Sequence, residues 1–203
     1  VIEEEKMQKA CEVAGKEPIF RILPYQKKKA GIVTTGSEVY YHRIEDKFTP
    51  VVIEKLKECG VTEVKQIQCN DDHEMITEAI QTLIEDGSDL IVCTGGMSVD
   101  PDDRTPLAIK NACTEVVTYG APVLPGAMFM LAYCEKEGRQ IPVMGLPGCV
   151  MYAKRTIFDL VLPRIMCDEK LHEKDFRLLG QGGLCLSCPV CTFPNCGFGK
   201  GGY

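Results

Sequence analysis

Apolar residues recur along this chain in two alternating patterns. Short runs of strand-forming residues predict strands at 30–34, 61–68, 89–93 and 115–118. Apolar positions about 3.6 residues apart predict helices at 2–14, 46–59, 70–87 and 106–113. Strands that alternate with helices are typical of a mostly parallel sheet, because each crossover lays a helix on one face of it. We therefore predict an α/β fold with helices on both faces of the sheet.

The segment 122–146 has two interpretations. Residues 127–134 are apolar and suit either a helix or a strand. Because a polar turn at 135–140 and a short strand at 141–144 follow, we favour a β-hairpin. A helix is expected from about residue 150 onward, bent or shortened by Pro163.

The strand at 89–93 leads into the stretch where we predict a site. Thr94-Gly95-Gly96 ends the strand, an acidic loop follows, and Thr105-Pro106 begins a helix with Thr105 as its N-cap. In α/β proteins, ligands bind at this carboxyl edge of the sheet. Glycines there let the backbone approach a ligand and direct N–H groups at an anion. The stretch therefore predicts an anion-binding turn.

Three further loops are expected at the same edge. Turns with glycine follow strands at 34–38 and 145–149, and two aspartates follow the strand at 61–68. If the strands are parallel, the loops bring together these carboxylates: Glu38, Asp46, Asp71, Asp100, Asp102 and Asp103. Donors in glycine turns suit phosphate, and carboxylates suit Mg²⁺. A phosphorylated ligand with Mg²⁺ is the simplest occupant.

Two of these acids also have structural interpretations. Asp71 with Glu74 could cap the helix that begins near residue 73. Asp103 could stabilise the following helix through the helix dipole. The glycine-rich phosphate fingerprints of Rossmann dehydrogenases and P-loop enzymes are absent from the sequence, so both enzyme classes are disfavoured.

The composition indicates which binding partners are disfavoured and in which cellular compartment the protein is expected. A formal net charge of −6 disfavours nucleic acid and anionic membranes as partners. No apolar run approaches the roughly 20 residues of a transmembrane helix. Of the twelve cysteines, those before residue 185 are scattered without the spacing of a disulfide framework. This is typical of reduced thiols, so we expect a cytoplasmic protein.

The remaining cysteines are close together near the C-terminus. They follow the pattern Cys185-x2-Cys188-x2-Cys191-x4-Cys196. The bacterial ferredoxin pattern is similar but one residue shorter at its end, and it is followed by a proline that this chain lacks. Cysteines this close cannot easily pair with each other, and four thiolates suit Zn²⁺ or an iron–sulfur cluster. We therefore predict a metal site of one of these kinds; the alternative is a flexible tail whose thiols bind nothing.

We predict three regions in the 203 residues. An N-terminal helix and linker would occupy residues 1–28, an α/β domain residues 29–167, and a Gly- and Cys-rich extension residues 168–203. Because the chain begins with Val1, inside a predicted helix, we expect it to be a fragment with a missing upstream region.

Four motifs in this order resemble those of the molybdopterin-binding domain of molybdenum cofactor biosynthesis. That domain occurs in molybdopterin adenylyltransferases and molybdopterin molybdotransferases. The motifs are Thr-Thr-Gly-Ser-Glu-Val at 34–39, Asp-Asp at 71–72, Thr-Gly-Gly-Met-Ser-Val with a later Asp at 94–103, and Gly-Leu-Pro-Gly at 145–148. The resemblance covers about residues 29–166. It implies a three-layer αβα sandwich with the pterin phosphate at Thr94-Gly95-Gly96.

The resemblance also implies roles for single residues. Asp71 and Asp103 match the functional aspartates of the family, which serve catalysis or Mg²⁺ binding. The positions that match its ligand-binding residues are Thr35, Gly36, Ser37, Glu38, Thr94, Gly95, Gly96, Ser98, Pro147 and Gly148. Cys149 stands where the molybdotransferases usually have Asn. At a helix N-terminus, the pKa of its thiol would be lowered.

Several functions are consistent with these residues. An enzyme would transfer an adenylyl group from ATP, or insert molybdate, with Mg²⁺ at Asp71 and Asp103. The alternative is a carrier or sensor that binds molybdopterin without turnover and has a metal-binding tail. A third possibility is another phosphate-containing ligand on the same fold. We expect a homo-oligomer, either a dimer or a trimer.

Overall fold

The computed structural model describes residues 1–18, 20–98, 100 and 102–201. In this part of the chain the helices are α1 (Glu4–Ala14), α2 (Ser37–Tyr40), α3 (Phe48–Glu58), α4 (His73–Glu85), α5 (Thr105–Ala112), α6 (Ile157–Met166) and α7 (Glu173–Leu178), with a 3₁₀ turn at Gly148–Met151. The strands are β1 (Lys29–Thr35), β2 (Glu63–Cys69), β3 (Leu90–Thr94), β4 (Glu115–Tyr119), β5 (Met130–Lys136) and β6 (Arg139–Leu146). None of the helices just named is both long and apolar enough to cross a membrane.

Within the described residues the strands form one six-stranded sheet in the order β2-β1-β3-β6-β5-β4. Strands β2, β1, β3 and β6 run parallel to one another. The crossovers through α3 and α4 supply the long connections that parallel strands require. Strands β5 and β4 complete the sheet in antiparallel pairing. The predicted α/β fold with a mostly parallel sheet is confirmed.

The predicted hairpin is formed by β5 and β6, and residues 130–134 are strand rather than helix. The two strands pair down to Lys136 opposite Arg139. The turn between them is Glu137-Gly138, and both residues have positive φ, 53° and 75°. A two-residue hairpin turn of this type matches the right-handed twist of its strands, and glycine adopts it without steric cost.

Helices cover both faces of the sheet, so the domain has three layers. On one face, α3 and α6 pack against side chains that include Ile32 and Val92. On the other face, α4 and α5 pack against side chains that include Val33 and Ile91. Because neighbouring strand residues point to opposite faces, the continuous apolar run of a central strand supplies both layers. The αβα sandwich implied by the resemblance is confirmed.

The single helix expected from about residue 150 is divided in two. A 3₁₀ turn occupies Gly148–Met151. Helix α6 begins only at Ile157, because Thr156 and Asp159 form a capping box there. The helix then continues through Pro163 to its end.

A buried ion pair joins α3 to α6. Lys55 Nζ lies 2.6 Å from Asp159 Oδ1, and the two side chains are 10% and 4% exposed. Lys55 also donates to the carbonyl oxygen of Lys154 at 3.2 Å. Arg155 Nη1 reaches the same carboxylate oxygen of Asp159 at 2.8 Å. Since these charges are largely removed from water, loss of one partner would leave the other uncompensated.

The segment that leads into β1 lies beside the end of α6. The Gln26 N–H donates to the Met166 carbonyl oxygen at 2.8 Å. Two residues later, the ammonium group of Lys28 pairs with the carboxylate of Asp168. Helix α1, further upstream, has no buried residue. The segment before β1 is therefore held against the segment that follows α6.

The substitution Asp159→Asn should destabilise the protein by about 3–5 kcal/mol, because the Lys55 ammonium would remain buried opposite a neutral amide. Urea denaturation measures the change in the free energy of unfolding. The matched control is Asp86→Asn, which removes the carboxylate from the half-exposed pair with Lys65. Its expected cost is below about 1 kcal/mol. Similar costs for the two variants would contradict the role given to the buried pair.

Candidate functional site

The loops that follow β1, β2, β3 and β6 meet at one edge of the sheet. We name them the first loop (36–38), the second loop (70–72), the glycine turn (94–98) and the last loop (147–149). The parallel register pairs Thr35 with Cys69, Thr34 with Thr94, and Thr94 with Leu146, so the strands end level with one another. This is the carboxyl edge of the parallel strands, where α/β proteins bind ligands.

The glycine turn needs glycine at two positions. Gly95 and Gly96 have φ values of +87° and +54°. A Cβ atom at Gly95 would lie 2.3 Å from the Thr35 carbonyl oxygen, and one at Gly96 would lie 2.8 Å from Thr105 Oγ1. Only residues without a side chain let the turn pack this closely between β1 and α5.

Thr105 holds the glycine turn from the other side. Its Oγ1 donates to the Gly95 carbonyl oxygen at 2.9 Å and lies 3.2 Å from Thr35 Oγ1. The prediction that Thr105 is the N-cap of α5 is wrong, because the helix begins at Thr105 itself, after Arg104. Its hydroxyl therefore binds the turn instead of the helix N-terminus.

The hydroxyl of Thr94 has no hydrogen-bond partner. Among the described residues, Thr94 Oγ1 is the only buried side-chain oxygen or nitrogen atom of which this is true. Leaving a buried hydroxyl unpaired costs about 1–3 kcal/mol. Such a group in a native structure calls for an explanation, often a water, an ion or a ligand. This donor lies directly before Gly95, where the sequence predicts an anion.

Asp71 links the first and second loops. Its Oδ2 accepts hydrogen bonds from the Ser37 N–H at 2.7 Å and the Ser37 hydroxyl at 2.8 Å. The capping of α4 is done by Asp72, whose carboxylate accepts from the N–H groups of Glu74 and Met75. The alternative in which Asp71 serves as the helix cap is therefore wrong, and Asp71 faces the neighbouring loop.

Asp103 closes the acidic loop onto the glycine turn. Its Oδ2 accepts a hydrogen bond from the Ser98 N–H at 2.6 Å, and its own N–H donates to the Asp100 carbonyl oxygen at 3.1 Å. Asp100 and Asp102 are exposed, whereas Asp103 is half-buried. Of these three acids, Asp103 is the one held at the turn.

Tyr119 reaches the glycine turn from the end of β4. Its hydroxyl donates to the Ser98 carbonyl oxygen at 3.4 Å. Burial and, to a lesser extent, the nearby charge of Asp103 raise the pKa of this phenol. No sequence motif indicated Tyr119, because only the folding of the sheet brings β4 close to the turn.

Asp46 stabilises the start of α3. Its Oδ1 accepts from the N–H groups of Phe48 and Thr49, both at 3.0 Å, and its Oδ2 accepts from Gln66 Nε2 at 3.0 Å. Burial opposes ionisation of this carboxyl. Hydrogen bonds from Thr49, Phe48 and Gln66 outweigh that effect and hold the pKa of Asp46 below its ordinary value. These bonds occupy both oxygens in a structural role.

The other predicted ligand-binding residues lie at both sides of the glycine turn. Gly36 precedes the short helix α2, which carries Ser37 and Glu38, and the Glu38 side chain is exposed. On the opposite side, Pro147 precedes the 3₁₀ turn that Gly148 begins. A Cβ atom at Gly148 would have no neighbour within 4 Å, so the last loop has open space in front of it.

Cys149 lies in the 3₁₀ turn rather than at the N-terminus of a full helix. Burial raises the pKa of its thiol, and hydrogen bonds to backbone N–H groups only partly offset this. The expectation of a lowered thiol pKa is therefore wrong.

The cysteines of the C-terminal pattern lie beside the segment that follows the last loop. Cys185, Cys188, Cys191 and Cys196 line one cavity of about 350 Å³, together with residues 152–155. In the part of the chain that the structure describes, no three His, Cys, Asp or Glu side chains form a group that could hold a metal ion. This finding applies both to the tail and to the acids at the sheet edge.

The fold and the loops define an α/β domain whose loops meet at the carboxyl edge of its parallel strands. Residues 31–166 match a family model described as "Probable molybdopterin binding domain". The chain belongs to this family of molybdopterin-binding domains. The resemblance carried by the four sequence motifs is confirmed.

Curated relatives share part of the same region. The CinA-like protein of Mycobacterium sp. (strain MCS) is 35% identical over 85 residues, which are 42% of this chain and 20% of the relative. The CinA-like protein of Mycobacterium avium (strain 104) is 34% identical over 95 residues, which are 47% of this chain and 22% of the relative. The chain therefore spans only about a fifth of the length of these relatives.

Solved structures share the fold. The tungsten cofactor synthesizing protein MoaB from Pyrococcus furiosus matches with a TM-score of 0.53 and 22% identity, over 62% of this chain and 84% of that one. The molybdopterin biosynthesis enzyme MoaB from Thermus thermophilus matches with a TM-score of 0.53 and 19% identity, over 70% and 98%. At these identities the likeness concerns the fold.

The substitution Gly95→Ala should lower the free energy of unfolding by roughly 2 kcal/mol or more, because the new Cβ would collide with backbone at a positive φ. Gly148→Ala is the matched control, since its position has open space, and a change within about 1 kcal/mol is expected. Urea denaturation of both variants makes the comparison. A Gly95→Ala protein as stable as the control would contradict the close packing of the turn against β1.

Proposed function

We propose that this chain binds molybdopterin, with the pterin phosphate at the glycine turn. The observation that carries the proposal is the unpaired hydroxyl of Thr94, to which a phosphate oxygen would supply the missing acceptor. Gly95 and Gly96 place backbone N–H groups in a turn of the kind that binds anions. The family match covers this turn and the loops around it.

The neighbouring loops would hold the rest of the ligand. The side chain of Ser98 and the first and last loops border the turn, and the residues proposed to contact the pterin are Thr35, Gly36, Ser37, Glu38, Pro147 and Gly148. Thr35 would act through the backbone, because its hydroxyl is buried against Thr105. The open space before Gly148 leaves room for a ligand at the last loop.

We further propose that Asp71 and Asp103 bind Mg²⁺ together with the phosphate. In the described structure their hydrogen bonds to Ser37 and Ser98 use only Oδ2, so Oδ1 of each carboxylate is available. Mg²⁺ is commonly held by one or two carboxylates plus substrate phosphate and water, rather than by a complete set of protein ligands. The absence of a three-residue group among the described side chains is compatible with such a site.

In an enzyme, these residues would act by positioning and by charge. Bound Mg²⁺ would neutralise charge that develops on the transferring group. Thr94 and the glycine turn would fix the phosphate, and the N–H groups of Ser98 and Ser37 would hold the two carboxylates in place. Adenylyl transfer from ATP and insertion of molybdate are the two reactions for which this arrangement is suited. The tungsten cofactor synthesizing protein MoaB and the molybdopterin biosynthesis enzyme MoaB, which share this fold, favour such a role.

A carrier or sensor that binds molybdopterin without turnover is the alternative. The observation in its favour is that Asp71 and Asp103 each have a local hydrogen-bonding role that links a loop to its neighbour. Both carboxylates would then shape the binding site without taking part in chemistry.

The substitution Thr94→Val should weaken molybdopterin binding roughly tenfold, the size of effect expected for one hydrogen bond to a charged group. It should leave the free energy of unfolding equal or slightly higher, because valine has the same shape and removes an unpaired polar group. Pterin fluorescence titration and urea denaturation measure the two quantities.

Thr114→Val is the control for this experiment, because the Thr114 hydroxyl donates to the Tyr133 carbonyl oxygen away from the sheet edge. It should cost about 1 kcal/mol of stability and leave affinity unchanged. Unaltered affinity of Thr94→Val would contradict the phosphate position. A wild-type protein that binds no pterin would indicate another phosphate ligand.

The substitution Asp103→Asn distinguishes the hypothesis of an enzyme from that of a carrier. The amide retains an oxygen for the Ser98 N–H but loses the charge that would hold Mg²⁺. Turnover with molybdopterin, MgATP and molybdate should fall about 100-fold. Asp102→Asn, in the same loop but exposed, should leave turnover unchanged. Tight binding by the wild-type protein without any turnover would instead support the carrier.

A further inference from the structure

The Gly- and Cys-rich end of the chain is fixed to the domain at two places. The N–H of Cys185 donates to the Leu124 carbonyl oxygen at 2.8 Å. Phe198 is 5% exposed and belongs to the core beneath α6. The N–H of Gly199 then donates to the Gly182 carbonyl oxygen at 2.8 Å. The residues between these places therefore form a closed loop packed on the domain.

All four cysteines of the C-terminal pattern line the cavity that this loop encloses. Cys185 and Cys196 are half-buried near the base of the loop, whereas Cys188 and Cys191 are exposed toward its tip. The opposite wall consists of residues 152–155, which follow the last loop. Four cysteines that line one cavity constitute a ligand set of a single chemical type, suited to soft metals.

The size of the cavity indicates what kind of metal group would fit. Its volume of about 350 Å³ far exceeds the ~10–15 Å³ that one water-sized occupant needs. A single Zn²⁺ requires all of its sulfur ligands to lie about 2.3 Å from the position of the ion. In the described residues, no three such side chains are grouped as one ion would require. Thiolates around a cage of iron and sulfide lie further apart than those around one ion, so this finding counts against a single Zn²⁺. The case for a cluster rests on the spacing of the cysteines and on the one cavity that they share.

The wall of the cavity also provides positive charge. Lys154 Nζ donates to the Pro189 carbonyl oxygen at 3.4 Å, and both residues line the cavity. No carboxylate pairs with Lys154 among the ion pairs of the described residues. The Arg155 guanidinium lies 5.1 Å from the ring centroid of Phe193, on the tail side of the cavity. Arg155 is already paired with Glu58 and Asp159, so Lys154 is the cation in this wall that would stabilise the net negative charge of four thiolates on a cluster.

We propose that this cavity binds a [4Fe–4S] cluster through Cys185, Cys188, Cys191 and Cys196. Each thiol would lose its proton to solvent and form one sulfur–iron bond. The two x2 spacings at the start of the pattern are those of the bacterial ferredoxins, whose cysteines bind such clusters. The longer x4 spacing leads to Cys196, which lies just before the buried anchor Phe198. The lining of this cavity shares no residue with the proposed pterin site.

The test is anaerobic reconstitution of the whole chain with ferrous iron, sulfide and a thiol reductant. After desalting, about four iron atoms and about four acid-labile sulfides per chain are expected, with the broad visible absorption of a cluster that bleaches on reduction. The double substitution Cys188→Ser/Cys191→Ser should reduce bound iron more than about fivefold. Both cysteines are exposed, so circular dichroism of the variant should match that of the wild-type protein.

Cys11→Ser is the matched control, because Cys11 is an exposed thiol on α1, and its iron and sulfide content should equal that of the wild-type chain. Three outcomes would overturn the proposal: a wild-type chain that takes up zinc but no iron, iron bound without sulfide, or full iron content in the double variant. Equal loss of iron in the Cys11→Ser chain would also overturn it, since the iron would then be bound non-specifically.

Discussion

Strand β3 is paired on both sides with parallel strands, and the candidate site depends on that pairing. Because Thr34 lies opposite Thr94, the end of β1 packs directly against Gly95. A Cβ atom at Gly95 would collide with the Thr35 carbonyl oxygen, so this contact requires glycine. The turn is then held between Thr35 on one side and the Thr105 hydroxyl on the other. A shift of one residue in the register would move these side chains to the opposite face of the sheet. The glycine turn is thus a product of the whole sheet.

Side-chain hydrogen bonds fasten the loops at this edge to one another. Asp71, which follows β2, binds the backbone and hydroxyl of Ser37, which follows β1. Asp103 binds the backbone of Ser98 from the far end of the acidic loop. Charged acceptors make such bonds stronger than those between neutral groups. The loops therefore keep their relative positions although few of their side chains are buried, which favours a preformed binding site over one that assembles around its ligand.

Most of the fold, and the meeting of the loops at one edge of the sheet, could be predicted because each rests on a local pattern. The burial of all of β3 follows from its apolar run, and the hairpin follows from its turn at Glu137-Gly138. Roles that depend on one residue position could not be predicted. In the sequence, Asp71 and Asp72 are equally suited to cap α4. Asp72 caps the helix, and Asp71 instead binds Ser37 because the fold brings the first loop beside it. Likewise, the hydrogen bonds from the Thr105 hydroxyl to Gly95 and from the Tyr119 hydroxyl to Ser98 could not be predicted, because they join elements that are not adjacent in the sequence.

The contacts between the segment before β1 and the end of α6 have a consequence for chain architecture. Lys28 and Asp168 form an ion pair. Two residues earlier in each segment, the Gln26 N–H donates to the Met166 carbonyl oxygen. The two ends of the sandwich are thus held together, as they are in domains that tolerate insertion into a host chain. After Asp168 the chain turns back onto the domain, where Leu171, Phe176 and Phe198 join the core. The C-terminal region therefore shares one core with the sandwich, and the contacts of Gln26 and Lys28 fix the place where the upstream segment joins both.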